Sequence, residues 1–269
     1  MNRKNFIYTM SLSSAALSMG LSGCKSVPGL GSAENYDALT YNLLKDWCDG
    51  MIANQVKEIS DLKVHGMLEC PACKERGIVH ARCHDAVYPF MHMAHATGEP
   101  KYLDAAINVM AWSKNVTGED GRWTNDLDPK SWHGTTIFGA IALAEAIHYH
   151  GEILDEATLT EWKERLAFAT EGYLWKKFTR IDFTNVNYGL TSVYGYYLIG
   201  HVLHEQKYID RSHEFAKGIK NYFTEPNKML FGEGKPYDNR SGRNLLPVDL
   251  GYNVEESLNG AILYALEVN

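Results

Sequence analysis

Asp85, His133, Asn187, Tyr188, Tyr252 and Glu255 are far apart in the chain, yet each falls where a loop gives way to a helix-forming run. Two kinds of chemistry can use such a set. Glycoside hydrolysis needs one carboxylic acid to protonate the leaving oxygen and a second carboxylate as base or nucleophile. Asp85, Asp126, Glu233 and Glu255 are the carboxylates available for it. Elimination from a uronic acid needs a group that neutralises the sugar carboxylate and a base that removes the neighbouring proton, and Asn187, Tyr188, His133 and Tyr252 suit that task. Trp132 and Asn253, next to these residues, and Asp126 and Glu233, in the long loops before them, are expected to contact substrate. Glu233 sits between two glycines in Leu230-Phe231-Gly232-Glu233-Gly234, where a ligand can approach the backbone or the chain can simply turn. Asp85, Asn187 and Asn253 also have the residue type of helix caps, so capping stays open for each of them.

A second constellation is built from thiols. Cys70-Pro71-Ala72-Cys73, followed by His80 and Cys83, offers three thiolates and one imidazole, enough to complete a tetrahedral zinc site of structural type. A disulfide between two of the three cysteines is the main rival expectation, and free thiols are the third. Cys48 lies inside a helical run and reads as a small apolar core residue. His65, His84, His92 and His95 share no ligand spacing and read as surface or packing histidines.

The elements that must position these residues are helices. Helical periodicity is expected over 38–58, 84–96, 100–114, 133–150, 158–178, 188–204, 207–223 and from 253 onward, with almost no alternating strand pattern. Short connections (Ala96 to Pro100, His150 to Ile153, His204 to Lys207) alternate with long ones at 59–83, 115–132, 179–187 and 224–252. Two helices open alike, as Lys101-Tyr102-Leu103-Asp104 and Lys207-Tyr208-Ile209-Asp210, which is a repeat signal. In a stack of antiparallel hairpins the long loops gather on one face, and function is expected there. Helices that follow long loops are rich in Gly, Ala and Tyr, whereas the intervening ones carry more charge, as inner and outer helices of a ring would.

This pattern resembles the alpha/alpha toroid of six-hairpin glycosidases, polysaccharide lyases and sugar epimerases. The fold class expected is therefore all-α, with about four hairpins where a closed ring needs about six, so the sequence reads as an incomplete, N-terminal part of the ring. Toroid lyases of the heparinase and alginate-lyase kind use a comparable Asn/His/Tyr set, which implies the eliminating roles given above. Gly251-Tyr252-Asn253-Val254-Glu255 loosely resembles the Gly-His-Asn-Ile-Glu stretch of N-acylglucosamine epimerases, but Tyr252 stands where that family has histidine, against epimerase chemistry.

The start of the chain is an export signal. Arg3 and Lys4 precede an uncharged, mostly apolar run from Phe6 to Leu21, too short for a membrane span. Leu21-Ser22-Gly23-Cys24 resembles the lipobox of bacterial lipoproteins, which implies cleavage before Cys24 and lipid on that residue. The expected organisation is a signal peptide over 1–23, a tether over 24–36 and one helical domain over 37–269, anchored by lipid at the cell envelope. The formal net charge of −7 is dispersed without a basic stripe, so nucleic acid is not an expected partner. The 16 tyrosines and 6 tryptophans fit a sugar-binding cleft or an aromatic core. The reading reached is a carbohydrate-active enzyme acting on a uronate-containing glycan, an oligo- or polysaccharide, with hydrolysis first and elimination second. A non-catalytic glycan-binding lipoprotein and a structural helical array are the further alternatives. Apart from the zinc, no cofactor is expected.

Overall fold

Apolar residues spaced for helices produce helices throughout the computed structural model, which describes residues 33–69, 83–182, 185–231, 248 and 257–268. The chain divides into two units, Met1–Leu44 with Asn269, and Lys45–Val268. The described part of the first is the opening of helix α1 (Ala33–Ala53), where Thr40 Oγ1 donates to the Asp37 carbonyl at 3.1 Å. Helix thus begins inside the stretch expected to be a tether, because Ala33 to Tyr36 contain no Gly or Pro to prevent it. The signal peptide, Cys24 and the rest of the tether lie outside the described residues. Among the described residues no helix is long and apolar enough to cross a membrane.

The second unit is a row of antiparallel hairpins. Helix α2 (Val87–Thr97), preceded by a 3₁₀ turn at Cys83–Ala86, pairs with α3 (Pro100–Trp112). Helix α4 (Thr136–His150) pairs with α5 (Glu156–Ala169), and α6 (Val186–Leu203) with α7 (Gln206–Gly218). Then comes α8 (Leu258–Val268). Helices α2, α4, α6 and α8 also pack on one another in that order, forming an inner layer with α3, α5 and α7 outside. Burial follows the layers: α6 is buried along nearly its whole length, whereas α7 buries only Tyr208, Ser212 and Phe215. This is the all-α, toroid-like hairpin arrangement expected from the sequence. Among the described residues the only β structure is isolated bridges.

The short connections close by local chemistry. Gly98 ends α2 at φ 69°, and its N–H donates to Ala94 before Pro100 opens α3. Asp155 caps α5 by accepting the Thr158 N–H at 2.9 Å. His204 ends α6 in the left-handed conformation at φ 58°. The repeated Lys-Tyr pair has a structural purpose. Lys101 and Tyr102 reach Asp49 of α1 at 2.7 and 2.8 Å, and Lys207 and Tyr208 reach Glu171 in the same way, so each pair ties one outer helix to the previous one.

One boundary differs for a tertiary reason. Helix α1 stops at Ala53, five residues before the expected end, because 54–56 pair with the loop: Val56 N–H donates to Met67 at 2.8 Å and Glu69 N–H to Asn54 at 2.9 Å. Gln55 is buried there and donates to both Gly66 and Ala105. Two long-range bonds to a buried amide outweigh one more helical turn.

Candidate functional site

The loop 117–135 carries Trp132 and His133 to the start of α4, and its own hydrogen bonds hold it there. Asn125 N–H donates to the Trp132 carbonyl at 2.9 Å, and Thr136 Oγ1 donates to the His133 carbonyl at 2.6 Å. Gly121, at φ 82°, faces the Phe168 carbonyl so closely that a Cβ would lie 2.4 Å from it, which brings the loop hard against the end of α5. There α5 widens into a π-helical turn at Thr170–Leu174, a feature common beside functional sites, and this turn carries Tyr173.

These elements bring three of the expected site residues together. Trp132 Nε1–H donates to the Tyr188 hydroxyl at 2.6 Å, and the Trp132 ring stacks on His133 with centroids 5.9 Å apart. Tyr173 meets His133 edge-on at 5.3 Å, and Phe138 and Phe178 pack against the Tyr188 ring. Burial pushes the Tyr173 hydroxyl up to about 12, so it is a neutral donor at physiological pH. His133 Nδ1 lies 3.1 Å from the Ser131 carbonyl. A carbonyl only accepts, so Nδ1 carries a proton and donates it into this bond.

Phe138 joins this cluster to a cleft of about 310 Å³ between the inner helices. Asp85 and Tyr88 line it from the first inner element, Glu145 from α4, Thr191 and Tyr194 from α6 and Asn259 from α8. Tyr194 donates to Glu145 Oε1 at 3.1 Å, and burial, reinforced by that carboxylate, holds the Tyr194 phenol far above its usual range. Beside Asp85, His84 is 2% exposed and packs on Trp123 at 4.9 Å. Gly139 permits this approach, since a Cβ there would fall 2.2 Å from His84 Nε2.

A family model for the ulvan lyase N-terminal domain matches residues 44–269. The chain belongs to the ulvan lyase N-terminal domain family. It is 47% identical over 273 residues to a broad-specificity ulvan lyase of Formosa agariphila, covering 99% of this chain and 42% of that protein. The chain thus spans less than half the length of this relative. A sugar epimerase from a ruminal bacterium has the same fold, with a TM-score of 0.59 at 14% identity over 88% of this chain and 66% of its own. A polysaccharide lyase aligns with a TM-score of 0.48 at 16% identity, over 68% of this chain and 59% of its own.

Within this ulvan lyase N-terminal domain the expected site residues are distributed unevenly. Trp132, His133 and Tyr188 form one cluster, and Asp85 lines the adjoining cleft. Asn187 is 4% exposed and is the second residue of α6, whose capping position is Asn185, so it is not a cap. The capping position of α2 is likewise Ala86 rather than Asp85. Asp126 Oδ1 accepts the Asp128 N–H at 2.7 Å and so shapes its own loop. Cys83 is 8% exposed, with Sγ 3.5 Å from the Leu68 carbonyl, in a cluster with Met67, Trp112 and Val116. Cys70, Cys73, His80, Glu233, Tyr252, Asn253 and Glu255 lie outside the described residues. Among the described residues no three potential ligands gather around one point. The sequence reading missed Glu145, Tyr173 and Tyr194. Glu145 had a signal: it is the one acidic residue in the mostly apolar α4, at helical spacing from Phe138, Ile141 and Ala142.

Proposed function

We propose that this chain is the toroid-like part of a polysaccharide lyase that cleaves ulvan or a related uronate-containing glycan by β-elimination. The observation that carries the reading is the 47% identity, across 99% of the chain, to a protein named as a broad-specificity ulvan lyase. Hydrolysis, the first reading of the sequence, gives way to elimination on the same ground.

The site supplies parts for that reaction. The first turn of α6 carries the partial positive charge of a helix N-terminus, and the amide of Asn187 lies in that turn. Together they meet the uronate carboxylate, which makes the proton at C5 more acidic. Tyr188, as its phenolate, takes that proton on Oη and becomes a neutral phenol, the electron pair of the C5–H bond forms the C4–C5 double bond, and the C4–O bond breaks. The departing oxygen keeps that bond's electrons and takes up a proton from solvent water. Asp85 and Glu145 make the inner cleft negative, so the uronate belongs at the mouth beside Tyr188 and a neutral sugar belongs inside.

The test uses the full-length protein with ulvan. Growth of absorbance at roughly 230–240 nm marks the unsaturated product, and loss of polymer without it marks hydrolysis. Tyr188→Phe is expected to lower the rate about 10²–10⁴-fold with folding retained. Undiminished turnover in that variant sinks the assignment of the base, and no turnover in the parent protein favours a glycan-binding role. We further propose that the protein works at the cell envelope, held by lipid on Cys24.

A further inference from the structure

We propose that Trp132 is a positioning residue that holds the Tyr188 oxygen as a proton acceptor; the inference rests on the reading of Tyr188 as the base. An indole nitrogen donates and never accepts. The 2.6 Å bond therefore has one direction: Trp132 Nε1–H donates the hydrogen bond and Tyr188 Oη accepts it. A donor aimed at a phenol oxygen favours the ionised form over the neutral one. Because the Tyr188 ring is wedged between Phe138 and Phe178, the indole also fixes where the oxygen points.

The surroundings of Trp132 support this role. Its side chain is 48% exposed, so core packing does not hold it. It is held by the backbone bond from Asn125, by stacking on His133, and by the missing side chain of Gly134. A Cβ on Gly134 would lie 2.4 Å from Trp132 Cζ2, overlapping the indole, so a side chain at 134 would displace the ring from this position.

Two variants of the full-length protein separate the donor from the ring. Trp132→Phe keeps an aromatic face for a sugar but lacks the N–H; Gly134→Ala keeps the indole but displaces it. Both are expected to lower kcat about tenfold or more and to move the acid limb of the kcat profile upward by about one pH unit, with KM changed far less. Independently of activity, NMR titration of ¹³Cζ-labelled tyrosine, with the Tyr188 signal assigned by its absence in Tyr188→Phe, is expected to show ionisation at higher pH in both variants. A raised KM with an unmoved acid limb and an unmoved titration would reduce Trp132 to a sugar platform and overturn the proposal. If the titration moves while Tyr188→Phe retains turnover, the hydrogen-bond coupling stands and the base assignment falls, so the two failures are distinguishable.

Discussion

Acidification should loosen this domain through two imidazoles, His150 and His92, at the short-loop end of the inner layer. His150, at the end of α4, is 8% exposed. Its Nδ1 lies 3.0 Å from His95 Nδ1, and its ring meets His92 edge-on at 5.3 Å and stacks on Tyr88 at 5.8 Å. Glu152 is the nearby carboxylate, 3.2 Å from His95 Nε2, and Tyr149 and His148 flank from α4. Burial first, then the neighbouring charges of His92 and His95, push His150 from 6.5 down to about 4, and burial lowers His92 as well. The unfolded chain therefore binds protons that the folded domain refuses. Stability is full above about pH 6.5, falls as pH drops toward 4, and levels off below that. At pH 5 the gap is about one and a half units at about 1.4 kcal/mol each, which partial solvation reduces to about 1–2 kcal/mol. Urea denaturation from pH 7.5 to 4.5 measures it. His150→Phe keeps the ring packing and is expected to lose most of the slope, although its stability at pH 7.5 is lower. An equal slope in the variant would refute the argument and move the acid sensitivity elsewhere.

Three further outcomes are expected. Asp155→Ala removes the cap of α5 and should cost about 1 kcal/mol of stability with activity retained at low temperature, as read from Tm and turnover together. Protein purified under reducing conditions is expected to carry about one equivalent of structural zinc, lost in Cys70→Ser or Cys83→Ser; metal analysis finding none, with a mass two protons lighter, establishes a disulfide instead. Cys24→Ala should abolish incorporation of labelled fatty acid and membrane fractionation, and label persisting on the variant refutes the lipid anchor.

The sequence by itself determined the helices and their layering. Periodicity and connection length are local properties, so the eight helical runs, the alternation of short and long loops and the apolar character of the inner helices were all legible. Even the Lys-Tyr repeat announced a recurring structural position, though not the carboxylates of Asp49 and Glu171 that it grasps. Only the tertiary structure decided which polar residues meet. Trp132 and Tyr188 are 56 positions apart, and their hydrogen bond depends on a loop stitched by Asn125 and Thr136, a glycine at 134 and two phenylalanines from different elements. The same cause separated Asp126 from its expected partners: its carboxylate found the N–H of Asp128 two residues away, which costs less entropy than reaching across a cleft. Glu145 was visible as the one acidic residue in a mostly apolar helix, but its place opposite Tyr194 came from the packing of α4 on α6. Periodicity tells which face of a helix turns inward; the packing of one inward face on another decides which side chains share a cleft.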